Sequence, residues 1–593
     1  MSANADIARL FHEMANALEL LGENAFRVNA LRKVARTAED APEDLAALAR
    51  ADVKALEAIP GVGASSARKI VEFAGSGRMQ EHADLLAKLP DGLMAVLRVP
   101  GLGPKTVKLL WEQGGVTDLA SLKAKLDSGA LEGLPRMGAK TLQNIRENLA
   151  FLETAGARTR LGDALPVAEA LVSALTALPQ VTEAAFAGSL RRGKETIGDI
   201  DLLVATAEPG PVMQAFVGRP DVAKVLAHGD TKSSVRLSSG LQVDLRAVQP
   251  SAWGAALLYF TGSKEHNVLL RERAQQRGQR LNEYGLFPDD GNQQPPQQRG
   301  VTPVAALTEQ AIYQALDLPW MPPELREDRH GLAPAPKGLI QLSDIRRELH
   351  CHTTASDGAE TIESMVGEAK RRGFDCIAIT DHSRSSAQAN GLSEERLLEH
   401  VRAVRAVGAR VSGIHVLAGS EVDILADGRL DYPDQVLAQL DWVVASPHTA
   451  LKQEAAAATA RLLAAIRHPL VHVIGHPSGR LLGGRPGLDP DWAALFAAAA
   501  KAGVAMELNA NPHRLDLRDQ LVHAAWAAGC AVAVDTDAHG LDNFDLLRFG
   551  VLTARRAGLT TEGCVNAWPW KRFEAWRRSR GGRGPTLAAC PSP

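Results

Sequence analysis

Cysteine is scarce and forms no pattern. The five residues, Cys351, Cys376, Cys530, Cys564 and Cys590, make no CxxC pair and no even set. A disulfide framework is therefore not expected, and a reducing cytoplasm is the simplest setting. No apolar run is long enough to span a bilayer. The opening MSANADIARLFHEMANAL lacks a basic stretch ahead of an apolar core, so no secretory leader is expected. A charge of one sign is also missing. Net charge is −3, with 38 Lys+Arg against 40 Asp+Glu in residues 1–340 and 28 against 29 in the remainder. Any nucleic-acid binding must then rest on local sites, not on a basic half. The 593 residues, 45% hydrophobic and 23% charged, predict an ordinary globular chain of two to four domains.

Helical patterning fills the first 155 residues. Within it a short element recurs: Ile59-Pro60-Gly61-Val62-Gly63, Val99-Pro100-Gly101-Leu102-Gly103, and Leu134-Pro135-Arg136-Met137-Gly138. Such a turn is expected to put glycine at positive φ. The helix that follows offers unpaired N–H groups to an anion, suited to gripping a phosphate backbone without reading sequence. A helix–helix turn with no ligand is the alternative. Arg68 and Lys69 follow the first copy, and Lys105 and Lys108 the second; the third departs, with Arg136 at its first glycine position. The turns resemble the helix-hairpin-helix motif of DNA repair proteins. The resemblance implies DNA contacts at Gly61, Gly63, Gly101, Gly103 and Lys105.

From about 160 to 250 the pattern changes to short β-like runs: EAAFAGS, DIDLLVAT, SSVRL and LQVDLRAV. Residues 188–201 read GSLRRGKETIGDID. Asp199 and Asp201 alternate on a strand and share a face. Carboxylates held together repel, and a divalent cation relieves the repulsion. Asp244 offers a third acid from an adjacent strand. Two ions about 3.5–4 Å apart could activate a 3′-hydroxyl and stabilise a leaving pyrophosphate. Gly188, Ser189 and Arg192 lie just upstream, suited to a triphosphate.

GSLRRGKETIGDID, VDLR and YFTGSKEHN resemble the palm and nucleotide pocket of family X DNA polymerases, the group of DNA polymerase beta. The resemblance implies Mg²⁺ at Asp199, Asp201 and Asp244. It implies triphosphate contacts from Gly188, Ser189, Arg192 and Gly198, and a sugar-sensing segment at Tyr259, Phe260, Thr261 and Gly262. Asn267 and Arg271 match positions facing the incoming base and the template strand. Periodicity alone would make Tyr259 and Phe260 core aromatics. The first helices resemble the small lyase-type domain of the same family, with Lys69 at the position of its Schiff-base amine. The nearby family lysines stand here as Arg27, Ser65 and Arg78, and an exposed structural lysine is an equally open reading.

A Pro-rich segment at 320–339 precedes the last part of the chain. There, seven apolar runs end in polar residues: ELHCH (His350, His352), IAITDH (Asp381, His382), VLAGSEVD (Glu421, Asp423), VVASPH (His448), VHVIGH (His476), VAMELN (Glu507, Asn509) and AVAVDTDAH (Asp537, His539). Strand, ligand-type residue and helix, repeated seven times, predict a (β/α) barrel with its site at the C-terminal strand ends and metal-assisted hydrolysis as its chemistry. His350 and His352 share a face and Cys351 turns away. Imidazole and carboxylate without thiolate suit Zn²⁺ or Mn²⁺. His415, His472, His513 and His523 read as ordinary polar residues. Asp381, Asp423 and Asp535 read as partners that hold imidazoles in one tautomer, and Asn509 and Arg514 as groups that orient a phosphate. The run resembles the PHP (polymerase and histidinol phosphatase) domain over about 341–575. The resemblance implies ligands at His350, His352, Asp357, His382, Glu421, His448, His476, Asp537 and His539, for up to three ions.

The expected chain is multidomain. Two α-helical helix-hairpin-helix domains (1–85, lyase-like; 86–155) precede an α+β nucleotidyltransferase-type palm (156–250). A nucleotide-selection subdomain (251–320), a linker (321–340), a distorted (β/α)7 PHP barrel (341–575) and a disordered tail (576–593) follow. The expected activities are gap-filling DNA synthesis in base excision repair and 3′→5′ exonuclease or phosphoesterase action. The expected partners are gapped or nicked DNA and dNTPs, with no membrane, in a cytoplasmic monomer. A barrel acting on small phosphates, or a non-catalytic DNA scaffold, are the rival readings.

Overall fold

The computed structural model describes residues 3–579, apart from residues 41–44, 52, 58, 60–61, 100–101, 136 and 157. It divides into two compact units, Met1–Gly156 and Ala157–Pro593. No helix among the described residues is long and apolar enough to cross a membrane.

The first unit is helical among its described residues. Ile7, Phe11, Met14 and Leu18 recur at helical spacing on the helix Ala3–Leu21 and are buried against Val28, Leu31 and Val34 of the helix Ala25–Asp40. The recurrent turns lead into helices as expected. Gly63 is the N-cap of Ala64–Ser76 and Gly103 that of Pro104–Glu112. Their backbone differs from expectation, with φ −89° and −84°, extended values open to any residue. A side chain at either would meet nothing within 4 Å, so these glycines leave the helix ends uncovered and relieve no strain. Gly61, Gly101 and Arg136 lie outside the described residues.

Among the described residues the strands, all in the second unit, are β1 (Thr159–Arg160), β2 (Glu183–Phe186), β3 (Thr196–Ile197), β4 (Ile200–Ala205), β5 (Val222–His228), β6 (Lys232–Leu237), β7 (Gln242–Val248), β8 (Gln279–Asn282), β9 (Gly285–Pro288), β10 (Arg347–Cys351), β11 (Cys376–Ile379), β12 (His415–Asp423), β13 (Trp442–Ser446), β14 (Val473–Ile474), β15 (Ala505–Asn509) and β16 (Val532–Asp535). One sheet has the order β2-β4-β7-β6-β5. Two of its three inner strands, β4 and β7, run parallel and pair Asp201 with Asp244. The helix Leu161–Thr176 covers one face through Leu161, Leu165, Ala168 and Leu171. Beside the sheet, Trp253–Thr261, Lys264–Gln276, the β8–β9 hairpin and Glu309–Ala315 share a core of Leu258, Leu270, Leu286, Ile312 and Tyr313.

β10 to β16 form a seven-stranded parallel sheet in chain order. A parallel bridge between Cys351 and Ala538 returns the end of the sheet to its first strand, so it is a nearly closed (β/α)7 barrel. Segment 321–340 is packed at both ends: Met321 and Leu325 lie in the helical core beside the palm sheet, and Ile340 lies in the barrel core. Barrel residues Leu515 and Phe549 are members of the palm core. At the C-terminus the helix Trp570–Arg578 buries Trp576, which corrects the expectation of disorder from residue 576: two Trp and Phe573 give this segment an apolar face to dock. Residues 580–593 lie outside the described residues.

Candidate active sites

The palm site follows from the β4–β7 pairing. Asp199 directly precedes β4, and Asp201 and Asp244 face each other across the ladder. Burial first, and then the charges of Asp199 and Asp244, push the Asp201 carboxyl up to about 6. Lys232 lies 3.3 Å from Asp244, and Gln242 donates to it at 3.1 Å. Three acids gathered in one place, with two of them pressing on the buried Asp201 carboxyl, fit a divalent-cation site. Gly188 has φ +60°, and a Cβ there would lie 2.1 Å from Asp201 Oδ2, so only glycine lets the turn approach the acids. Ser189 sits in the short helix Gly188–Arg191, and Gly198 is exposed just before Asp199. The Arg192 guanidinium is turned toward the neighbouring helical layer, where it donates to Thr261 O and to Glu327 Oε1.

Tyr259 and Phe260 end the helix Trp253–Thr261, meeting edge to face at 5.1 Å. Tyr259 is 38% exposed, contrary to what periodicity alone suggests. The Arg246 guanidinium lies 4.5 Å over the Phe260 ring. Thr261 is buried, and Gly262 takes φ +65° beside Arg192. Asn267 donates to Tyr259 O at 2.8 Å, and Arg271 to Asn267 O at 3.2 Å. In the first unit Lys69 Nζ is held by Glu81 at 2.9 Å and by the Ser65 hydroxyl at 2.8 Å, while Lys105 is exposed.

At the barrel's C-terminal strand ends, three groups of side chains converge closely enough to hold metal ions. They are His352, Asp357, His382 and His539; His350, His352, Glu421 and Asp537; and His382, Glu421 and His448. His352, His382 and Glu421 each belong to two groups. His476 completes the cluster with Nε2 2.8 Å from Glu421 Oε1. Glu421 and its neighbours are buried, and although imidazole nitrogens approach Glu421 to 2.8–2.9 Å, both Glu421 oxygens, His350 Nε2, His352 Nδ1, His382 Nδ1 and both His476 nitrogens make no hydrogen bond of proper direction. Inward-facing lone pairs of imidazole and carboxylate are the donor set a borderline divalent cation takes. Electrostatics agrees. Burial opposes every charge here, but the imidazoles of His448 and His350 hold Glu421 well below the carboxylate range, and Glu421 with Asp423 carries His448 up to about 10. Asp537 at φ +56° and His476 at φ +23° occupy backbone that side-chain-bearing residues rarely adopt.

The supporting shell departs in part from expectation. Asp423 pairs with His448 Nδ1 as expected. Asp381 instead takes Ser356 Oγ, Thr353 and His400 Nε2 at 2.8 Å, and Asp535 takes Leu349 N and Asn566. The carboxylate that orients His350 is Glu507, at 2.6 Å from Nδ1. Its place at the end of an apolar run was the signal for it. Asn509 donates to Asp537 at 3.1 Å, and Arg514 lies 3.9 Å from the same carboxylate. His415 stacks on Trp570, His472 accepts from Val443 N, His513 meets Arg160, and His523 meets Ala557 O; none joins the cluster.

Residues 2–79 match the helix-hairpin-helix domain family, 93–150 the SAM-like helix-hairpin-helix tandem, 256–327 the DNA polymerase beta thumb, and 348–511 the PHP domain. The DNA polymerase/3′-5′ exonuclease PolX of Bacillus subtilis is 35% identical over 576 residues, 96% of this chain and 98% of the relative. A probable phosphatase of Caldicellulosiruptor bescii is 31% identical over 202 residues, 32% of this chain and 79% of the relative. One of Shewanella oneidensis is 30% identical over 211 residues, 33% of this chain and 79% of the relative. With an acidic palm, a beta-type thumb, paired helix-hairpin-helix segments and an imidazole-rich PHP barrel on one polypeptide, the chain belongs to the family X DNA polymerases, in the bacterial form with a C-terminal PHP domain.

Proposed function

We propose that the protein is a DNA-directed DNA polymerase that fills short gaps during repair and carries a metal-dependent 3′→5′ exonuclease in its barrel. One observation carries the reading. Two separate cation-type centres, one acidic and one imidazole-rich, occur in a chain that aligns over 96% of its length with a relative named for both activities. The reading divides the chain at the boundaries expected from sequence, except that the barrel keeps the whole of the helix Trp570–Arg578, and assigns it to the cytoplasm as a monomer.

Asp199, Asp201 and Asp244 offer oxygen alone, suited to Mg²⁺. His350, His352, Asp357, His382, Glu421, His448, His476, Asp537 and His539 suit up to three Mn²⁺ or Zn²⁺ ions. Cations bound at the two centres supply Lewis-acid charge that opposes the negative charge building on phosphate oxygens, during bond making in the palm and bond breaking in the barrel. Gly188, Ser189, Arg192 and Gly198 receive the triphosphate of a dNTP. Tyr259, Phe260, Thr261 and Gly262 close on its sugar, while Asn267 and Arg271 face base and template. Asp423 and Glu507 keep His448 and His350 in one tautomer. Asn509 and Arg514, beside Asp537, orient the phosphate to be cut. Gly61, Gly63, Gly101, Gly103 and Lys105 grip the backbone of gapped or nicked DNA at helix ends. Lys69 is the candidate amine for opening an abasic sugar; borohydride trapping of the chain on abasic DNA, lost in Lys69→Ala, tests that role.

The decisive comparison crosses two variants with two substrates. Asp201→Ala should abolish extension across a one-nucleotide gap and still degrade 3′-labelled DNA with Mn²⁺, and His350→Ala should do the reverse. Loss of both activities in either variant would sink the two-centre reading. The probable-phosphatase relatives of the barrel favour a second reading, a barrel acting on small phosphate esters. Intact labelled DNA beside hydrolysed p-nitrophenyl phosphate would select it.

A further inference from the structure

The turn that carries Arg192 rests on the barrel. Residues 188–193 pass over the end of the barrel helix Leu547–Arg556, and a Cβ built on Gly193 would lie 3.4 Å from Leu552 Cβ and 3.6 Å from Arg556 Cδ. Arg556 is nearly buried. Its Nη1 donates to Arg192 O at 2.7 Å and to Glu327 Oε1 at 3.0 Å, and its Nε and Nη2 are held by Asp519 at 3.1 and 3.0 Å. Glu327 Oε1 is the oxygen that also accepts Arg192 Nε at 3.0 Å, and Lys194 lies 3.7 Å from its other oxygen. Two guanidiniums, one from the palm and one from the barrel, thus share one carboxylate oxygen. Burial alone would raise the Glu327 carboxyl; the charges of Arg556 and Arg192 outweigh it and hold it below the ordinary range.

Arg192 Nε is held by Glu327 and Nη1 by Thr261 O, so presenting the whole fork to a phosphate requires the guanidinium to loosen from Glu327. The cost of loosening depends on how much of the Glu327 charge other cations still neutralise. With Arg556 in place, Glu327 stays paired when Arg192 leaves. Without Arg556, Glu327 would bind Arg192 more tightly, and the Arg192 carbonyl would lose its donor. We propose that Arg556 is a positioning residue for the polymerase reaction: from the barrel, it frees Arg192 for the incoming nucleotide by sharing Glu327 and holding the turn. This rests on Arg192 being a triphosphate ligand.

The test measures KM for the dNTP and kcat on a one-nucleotide gap with Mg²⁺, using the full chain. Arg556→Gln should raise KM about 10-fold with kcat changed less than about 3-fold, the size expected from one charge-assisted contact. Arg556→Lys, which keeps the charge without the fork, should fall between Arg556→Gln and the parent. Adding Glu327→Gln to Arg556→Gln should bring KM back to within about 3-fold of the parent, because the competing charge is gone. An unchanged KM in Arg556→Gln would overturn the proposal. A KM that stays high in the double variant would overturn it too, since lost scaffolding is not repaired by a second substitution. Arg192→Ala separates the layers. An unchanged KM there would end the triphosphate assignment and the proposal with it, whereas a raised KM there beside a normal Arg556→Gln would end the proposal alone.

Discussion

Asp201 shows how one residue's surroundings change its affinity for a proton. Its carboxyl is carried from 3.8 to about 6 by burial and by two acidic neighbours. A raised carboxyl contributes stability below its unfolded value and loses it as pH rises through about 6, so above that the metal-free palm bears a penalty of up to roughly 3 kcal/mol. Asp201→Asn should therefore melt higher than the parent in EDTA near pH 8, with the difference shrinking toward pH 4. Mg²⁺ should raise the parent's midpoint and leave the variant's unmoved; thermal melting across pH checks both. The acids and imidazoles themselves were legible, because a polar residue at the end of an apolar run stands out. Their supports were less so. Asp423, two residues beyond Glu421, reads correctly as the partner of an imidazole, and the fold makes that ring His448, but Asp381 turns out to serve His400 and a loop, and Glu507 takes the role at His350. Which carboxylate meets which ring depends on distances across the barrel that strand order alone does not give.

At the scale of elements, one buried carboxylate ties the turn 188–193 to the helices beside the palm. Glu309, at the start of Glu309–Ala315, takes Arg191 on one side and the fully buried Arg326 on the other, with oxygens at 2.7 and 2.6 Å. Burial would raise it, but the hydrogen bonds from Arg326 and Arg191 hold it down to about 2. Its contribution is complete above its ordinary value of 4.5 and is lost as pH falls toward 2. Glu309→Gln should cost about 3–5 kcal/mol, because Arg326 is left buried without a counter-charge; urea unfolding at neutral pH should report it, and the gap between variant and parent should narrow in acid. Elements with a clear apolar pattern were readable, β7 by its alternation and β4 by a nearly continuous apolar run. β5 was not: as an edge strand its residues are almost all exposed, so it leaves no two-residue period to detect.

For the whole molecule, the notable joint is between palm and barrel. Phe549, on a barrel helix, is buried in the palm core with Leu515, and Arg480–Glu195 and Arg548–Glu169 pairs flank that contact. Phe549→Ala should cost about 3–5 kcal/mol and should lower the stability of palm and barrel together. Calorimetry should find one shared transition moving down, and gap filling should fail at a lower temperature although no palm residue has changed. Independent transitions, with only one of them shifted, would count against the joint.

By itself the sequence determined the kinds of parts: the helix–turn repeats, the strand-borne acids, the seven strand ends and their ligand-type residues. Short-range periodicity and residue chemistry are enough for that, since each depends on neighbours only a few positions away. Tertiary structure alone decided how the parts meet. His352, His382 and Glu421 each belong to two of the metal-type groups, Glu507 stands behind His350, and a barrel arginine reaches the turn 188–193 of the palm. These contacts join residues up to 364 positions apart, and no local pattern in the chain encodes which distant surfaces will bury one another.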